Sequence, residues 1–128
     1  MSPQGEWHSL LKTGATAINV SLSDEQVELF FLYWRELQEW NSYTNITAIS
    51  SLRDTIIKHF LDSLSVIGNI PGSGRLADIG SGGGFPGIPI AIVQPALKVV
   101  LIEAARKKAN FLRQAVRVLG LNTAEVYH

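Results

Sequence analysis

Cysteine is absent from this 128-residue chain, which excludes disulfides and thiolate metal sites and fits a reducing compartment. Long apolar runs are missing too. None approaches the roughly 18 uncharged residues that a membrane-spanning helix requires. The first ten residues, Met1 to Leu10, lack the basic-then-apolar layout of a secretory signal. Two matches to the glycosylation pattern, Asn19-Val20-Ser21 and Asn45-Ile46-Thr47, therefore read as chance. Charge of one sign is not in excess either: 11 Lys and Arg balance 11 Asp and Glu, so no global field draws in nucleic acid. No segment repeats and none is of low complexity. Together these absences predict a cytoplasmic protein without membrane contact. With 46% of its residues hydrophobic, the chain can bury one modest core.

What charge there is lies unevenly. Residues 1–50 carry Lys12 and Arg35 against six acidic residues, whereas residues 98–128 carry Lys98, Arg106, Lys107, Lys108, Arg113 and Arg117 against Glu103 and Glu125. A solvated helix face and contact with an anionic partner both account for the basic end.

The first two-fifths of the chain reads as helical. Ser23 with Gln26 forms a capping-box pattern, and Val27, Phe30, Phe31, Trp34 and Leu37, then Trp40 or Tyr43, make one apolar stripe. That stripe reads as core rather than as a platform for stacking bases. Asn41-Ser42 and Asn45 mark a turn. Ser51 with Asp54 caps a further helix, whose buried side would be Leu52, Ile56, Ile57, Phe60, Leu61, Leu64 and Ile67, ended by Pro71-Gly72-Ser73-Gly74.

The pattern then changes. Arg75 to Ile79 predicts a buried strand, Ile88 to Val93 a short helix, and Val99 to Ile102 a strand covered on both faces. Arg106 to Leu119 predicts an amphipathic helix closed by Gly120, and Ala124 to His128 the start of a third strand. Strand, helix, strand, helix, strand is the signature of a parallel, doubly wound α/β sheet. The expected organisation is an N-terminal helical extension over 1–74 and the first part of an α/β domain over 75–128. So short a third strand marks the chain as a piece of a longer protein, and the edge that such a piece leaves exposed on its first strand invites self-association.

The chemistry lies in Asp78-Ile79-Gly80-Ser81-Gly82-Gly83-Gly84-Phe85-Pro86-Gly87, with Glu103 closing the next strand. A glycine-rich turn between strand and helix admits a ligand where side chains would clash. An acid after the second strand can accept hydrogen bonds from both hydroxyls of an adenosine ribose. Asp78 at the first strand's carboxyl end suits a positively charged amino group and opposes a pyrophosphate. S-adenosylmethionine meets these conditions. Residues 82–87 also fit the dinucleotide fingerprint G-x-G-x-x-G, with Glu103 about 20 residues on, so a nicotinamide-dependent oxidoreductase stands as an alternative. The match begins two residues after Gly80 has ended the strand, which favours the methyl donor. A purely structural glycine turn is a third reading.

Asp78 to Ile90 (DIGSGGGFPGIPI) resembles one family in particular, the small-subunit ribosomal-RNA guanine-N7 methyltransferases, also called RsmG or glucose-inhibited division protein B. His59 to Leu64 before it, Arg106 to Arg113 after it, and Trp40-Asn41 with Asn45 to Ile49 upstream fit the same family. The resemblance runs from about Leu22 to the last residue. It implies a Rossmann-like methyltransferase fold with an N-terminal helical extension, S-adenosylmethionine as donor, a guanine of 16S ribosomal RNA in the small ribosomal subunit as target, and a full-length monomer. On it, Gly80 and Phe85 match donor-contacting positions, Gly82 and Gly84 shape the loop, and Glu103 matches the ribose-binding acid. Asp78 joins this cofactor-binding set on the ground of its charge. Ala104 stands where many members have serine.

Guanine N7 has a lone pair and no proton, so methylating it calls for no general base, and no catalytic residue is assigned. His59 and Asp62, three apart, form no metal site without a third ligand and read as a structural pair. Arg106, Arg113 and Arg117 fall within roughly 40° of one another on a helix and are the candidate RNA-facing residues.

Overall fold

The computed structural model describes residues 3–46 and 51–128. Two long helices come first, α1 (Pro3–Ala17) and α2 (Asp24–Asn41). The expected capping box opens α2: Ser23 Oγ accepts the Gln26 amide hydrogen at 3.1 Å, and Gln26 Oε1 accepts that of Ser23 at 2.9 Å. Asn41 ends the helix, and its side-chain oxygen accepts the Ile46 N–H at 2.9 Å, closing the predicted turn. Thr47, Ala48 and Ile49, the rest of that upstream motif, lie outside the described residues.

Ser51 caps the next helical run as expected, accepting the Asp54 N–H at 3.1 Å. The run is not a uniform α-helix. A first turn, α3 (Leu52–Asp54), passes into a π-helical stretch (Thr55–Leu61) and closes as α4 (Asp62–Leu64). The wider π turn changes which residues face inward: Thr55, Ile56, Phe60, Ser63 and Leu64 are buried, while Ile57 is exposed. The helix stops at Leu64, well before Pro71, and a 3-10 turn at Ile67–Asn69 leads onward.

Three parallel strands come next in the order β1 (Gly74–Ile79), β2 (Leu97–Ile102), β3 (Ala124–Tyr127), joined by α5 (Gly87–Val93) and α6 (Arg106–Leu119). Gly120 closes α6 in the left-handed conformation at φ 65°, the cap predicted for it. Leu97, Val99 and Leu101 on β2, with their register partners Leu76, Asp78, Ala124 and Val126, face the covered side of the sheet. Helix α5 packs on β2 there and α6 packs on β3.

Helix α5 is apolar all round. Residues 88–92 are all buried because the sheet lies on one side and the N-terminal helices on the other. Helix α2 lies across both α5 and α6, with Trp40 edge-on to Phe111 at 5.7 Å between ring centres. One hydrophobic cluster thus runs from Leu11 through Phe30, Phe60 and Ile90 to Leu112.

Two strand expectations need correction. Strand β1 is an edge strand rather than a buried one, with Ala77 exposed and Ile79 79% exposed. Strand β2 alternates buried and half-buried residues instead of being covered on both sides. Both departures have the same cause: the described helices lie on one face of the sheet. The other face carries Ala77, Ile79, Val100, Ile102 and Tyr127 beside a Lys98–Glu125 ion pair of 2.9 Å. Among the described residues, no helix is long and apolar enough to cross a membrane.

Candidate functional site

Strands β1 and β2 end level, Ile79 opposite Ile102, so the loops leaving the two strands lie side by side at the carboxyl edge of the sheet. That edge is where open parallel sheets bind ligands. The ladder runs on into the bend: the Gly80 and Ser81 N–H groups both donate to the Ile102 carbonyl, at 2.8 and 3.2 Å. Gly80, at φ 75°, takes a conformation that side chains resist, and a Cβ there would meet nothing within 4 Å. The backbone therefore reaches this edge with open space beside it. Further along, the Gly84 N–H returns to the Ser81 carbonyl at 2.8 Å and the Ile88 N–H to the Gly84 carbonyl at 2.7 Å, which winds the bend into α5.

Glu103 meets this bend directly. One carboxylate oxygen accepts the Gly82 N–H at 2.7 Å and the other accepts the Ala105 N–H at 2.8 Å. Only 8% of the residue is exposed. The Ala105 hydrogen bond, aided by that of Gly82 and by the charge of Lys108, holds the carboxyl below its ordinary pKa against the opposing effect of burial. The group stays ionised, and each oxygen keeps acceptor capacity beyond its one amide.

Asp78 is perturbed in the opposite direction. Its side chain is on the covered face, where Oδ2 accepts the Gly87 N–H at 3.0 Å at the start of α5. Burial raises its pKa, against the lowering effect of hydrogen bonds from Gly87 and Ser81, with the Glu103 charge adding a smaller upward push. A pyrophosphate brought to the start of α5 would meet the Asp78 carboxylate there, which disfavours the nicotinamide reading.

Phe85 leaves the bend toward the N-terminal helices. Its ring lies 5.5 Å from that of Tyr33 and 6.1 Å from that of Phe60, and it stacks with His59 at 4.9 Å. Asp78, Gly80, Gly82, Gly84, Phe85 and Glu103 are therefore brought together at one edge. His59 borders this group, whereas Asp62, its expected companion, is exposed at the start of α4. Arg106, Arg113 and Arg117 stand apart on the exposed side of α6. Arg113 donates to Asn110 at 3.3 Å and Arg117 to Gln114.

Sequence reasoning missed Tyr33. It is fully buried in α2, and its hydroxyl donates to the Gly83 carbonyl of the bend. Helical spacing from Phe30 to Leu37 fits Tyr33 and Trp34 equally, and the apolar stripe runs on paper through Trp34, which is only part-buried.

Among known proteins, a family model described as rRNA small subunit methyltransferase G, or GidB, matches residues 26–128. The chain belongs to that family. Its relatives include proteins named Ribosomal RNA small subunit methyltransferase G. The one from Syntrophus aciditrophicus (strain SB) is 50% identical over 123 residues, 94% of this chain and 51% of that protein. The one from Geobacter sp. (strain M21) is 47% identical over 119 residues, 93% of this chain and 55% of that protein. That of Dehalococcoides mccartyi (strain CBDB1) is 46% identical over 114 residues, 88% of this chain and 48% of that protein. The chain spans about half the length of these relatives. Its parallel strands and their helices are the opening part of the family's Rossmann-like methyltransferase fold, preceded by a helical extension.

The opposed perturbations at the two acids make a stability prediction. Glu103, lowered by folding, stabilises the protein above the ordinary carboxylate range, and that contribution is lost as pH falls through its folded pKa. Asp78, raised by folding, favours the protein at low pH and loses that contribution as pH rises through its folded pKa. Denaturant titrations should therefore show Glu103→Gln less stable than the parent by about 1–3 kcal/mol at neutral pH. Asp78→Asn, which keeps an oxygen for Gly87, should be at least as stable as the parent there. The reverse order of the two variants would contradict these assignments.

Proposed function

We propose that this chain forms the first part of an S-adenosylmethionine site, in a protein that methylates N7 of a guanine in 16S ribosomal RNA. Residues 75–128 would supply that part of the donor domain and residues 1–74 its helical extension. The observation that carries the reading is the Gly82–Glu103 hydrogen bond, because it brings the ribose-binding type of acid and the glycine bend to adjacent strand tips.

The residues fit the donor. Open space beside Gly80 lets adenosine and the amino-acid part approach backbone without a clash. Glu103 is ionised, and its remaining lone pairs can accept the two ribose hydroxyls. Asp78 adds negative charge toward the donor's amino group, at the cost of its burial. Gly84 and Phe85 would shape and close the pocket. When bound, S-adenosylmethionine supplies a methyl group on a positively charged sulfur. The chain's own part is orientation: Gly80 to Gly84 fix the bend, and Glu103 fixes the ribose against it. Guanine N7 brings its own lone pair and releases no proton, so the rate comes from holding the reacting atoms about 3–3.5 Å apart and in line. A reaction on ribosomal RNA belongs in the cytoplasm.

Glu103→Ala in the full-length protein should weaken S-adenosylhomocysteine by about tenfold to a hundredfold in calorimetry, the worth of hydrogen bonds to a charged group. Unchanged affinity would remove Glu103 from the site.

Arg106, Arg113 and Arg117 form an exposed row on a helix that has no acidic residue of its own, and we assign them to RNA phosphates. Replacing all three with alanine should lower the salt dependence of RNA binding by the full-length protein. The expected loss is up to about two units of slope, at about 0.7 per single-strand phosphate contact. An unchanged slope would remove α6 from the RNA interface.

A further inference from the structure

We infer that Tyr33 is a positioning residue for the glycine bend: through its hydroxyl, the N-terminal helical layer sets the shape in which Gly82 to Phe85 meets the donor. The inference rests on the proposed donor reading, since it assigns a role at that same site.

Tyr33 lies 50 residues before Gly83, in a helix outside the parallel sheet, yet it donates directly to the Gly83 carbonyl. The residue is fully buried, so losing this partner would strand a hydroxyl and a carbonyl without water to replace the bond. Gly84 makes room for the contact. A Cβ there would come within 2.7 Å of the Tyr33 hydroxyl and 2.6 Å of Ile88 Cδ1, and its φ of 96° disfavours any side chain. The bend's conformation and the tyrosine's position thus depend on each other.

Three further rings hold the arrangement. Tyr33 lies nearly parallel to Phe60, at 5.6 Å and 20°, and both flank Phe85. His59, beside Phe60 in the π-helical stretch, covers Phe85 by stacking. π-helical segments occur often at functional sites, and this one supplies two of the rings around the residue that ends the bend. Burial, with the nearby Asp78 charge, raises the phenol's pKa far above its ordinary value, so the hydroxyl keeps its proton and remains a donor.

A residue that only fills the core would be replaced by phenylalanine without local consequence, which gives the test. Amide hydrogen exchange on this chain, read residue by residue by NMR, compares the parent with Tyr33→Phe. Calorimetry with S-adenosylhomocysteine then compares parent, Tyr33→Phe and Glu103→Ala in the full-length protein. Exchange at Gly82 and Gly84 should rise by about tenfold, the worth of one hydrogen bond, while amides of β2 and α6 stay near their parent rates. Donor affinity should fall several-fold.

Unchanged exchange at the bend, or a uniform rise over all elements, overturns the inference. So does faster exchange at the bend with donor affinity intact where Glu103→Ala weakens it. A parent that binds no S-adenosylhomocysteine overturns the donor reading instead, and the exchange arm still decides whether Tyr33 holds the bend.

Discussion

One carboxylate accepts two amide hydrogens, those of Gly82 and Ala105, and the candidate site is organised around it. Glu103 closes β2, and Gly82 sits in the bend after β1, so the bond between them joins two neighbouring strand tips into one wall. The amides compensate for burying a charge, and they leave it ionised with acceptor capacity to spare. Parallel pairing makes this possible. Because Ile79 and Ile102 are level, a bend and an acid separated by about 20 residues of chain arrive at the same place.

Behind that wall stands a buried helix with apolar residues on every side. The sheet alone would cover one flank of α5, and the N-terminal helices cover the other, so the extension completes the core rather than decorating it. The same layer reaches the bend through Tyr33 and surrounds Phe85 with rings from α2 and the π-helical stretch. Packing and site are therefore one construction, in which the residues that bury the helix also hold the loop before it.

Local signals in the sequence had local outcomes. Both caps, Ser23 with Gln26 and Ser51 with Asp54, formed because their donors and acceptors are three residues apart. Helix α6 runs from Arg106 to Leu119 and is closed by Gly120, as its periodicity and terminal glycine require. The meeting of the bend and Glu103 was legible because a glycine cluster after one strand and an acid after the next fall at adjacent tips once the two strands pair in parallel. Tyr33 was not, since a period of 3.6 residues cannot choose between neighbours at 33 and 34, and the choice is made by a carbonyl 50 residues away. The π-helical stretch was also hidden, because its wider turn leaves no mark in an apolar pattern read at α-helical spacing. The exposure of β1 escapes the sequence for a related reason: an apolar run reports what a strand can bury, not which neighbours are there to bury it.

The open sheet face, with Ile79, Val100 and Ile102 upon it, stands out in a chain about half as long as its relatives. The donor assignment is tested most directly by following backbone amide shifts while S-adenosylhomocysteine or NAD is titrated into the chain extended to its relatives' length. The account predicts that S-adenosylhomocysteine moves the amides of Gly80 to Gly84 together with Glu103 and Ala104, and that NAD moves none of them. Shifts produced by NAD at the bend, or none at either strand tip with S-adenosylhomocysteine, would contradict it.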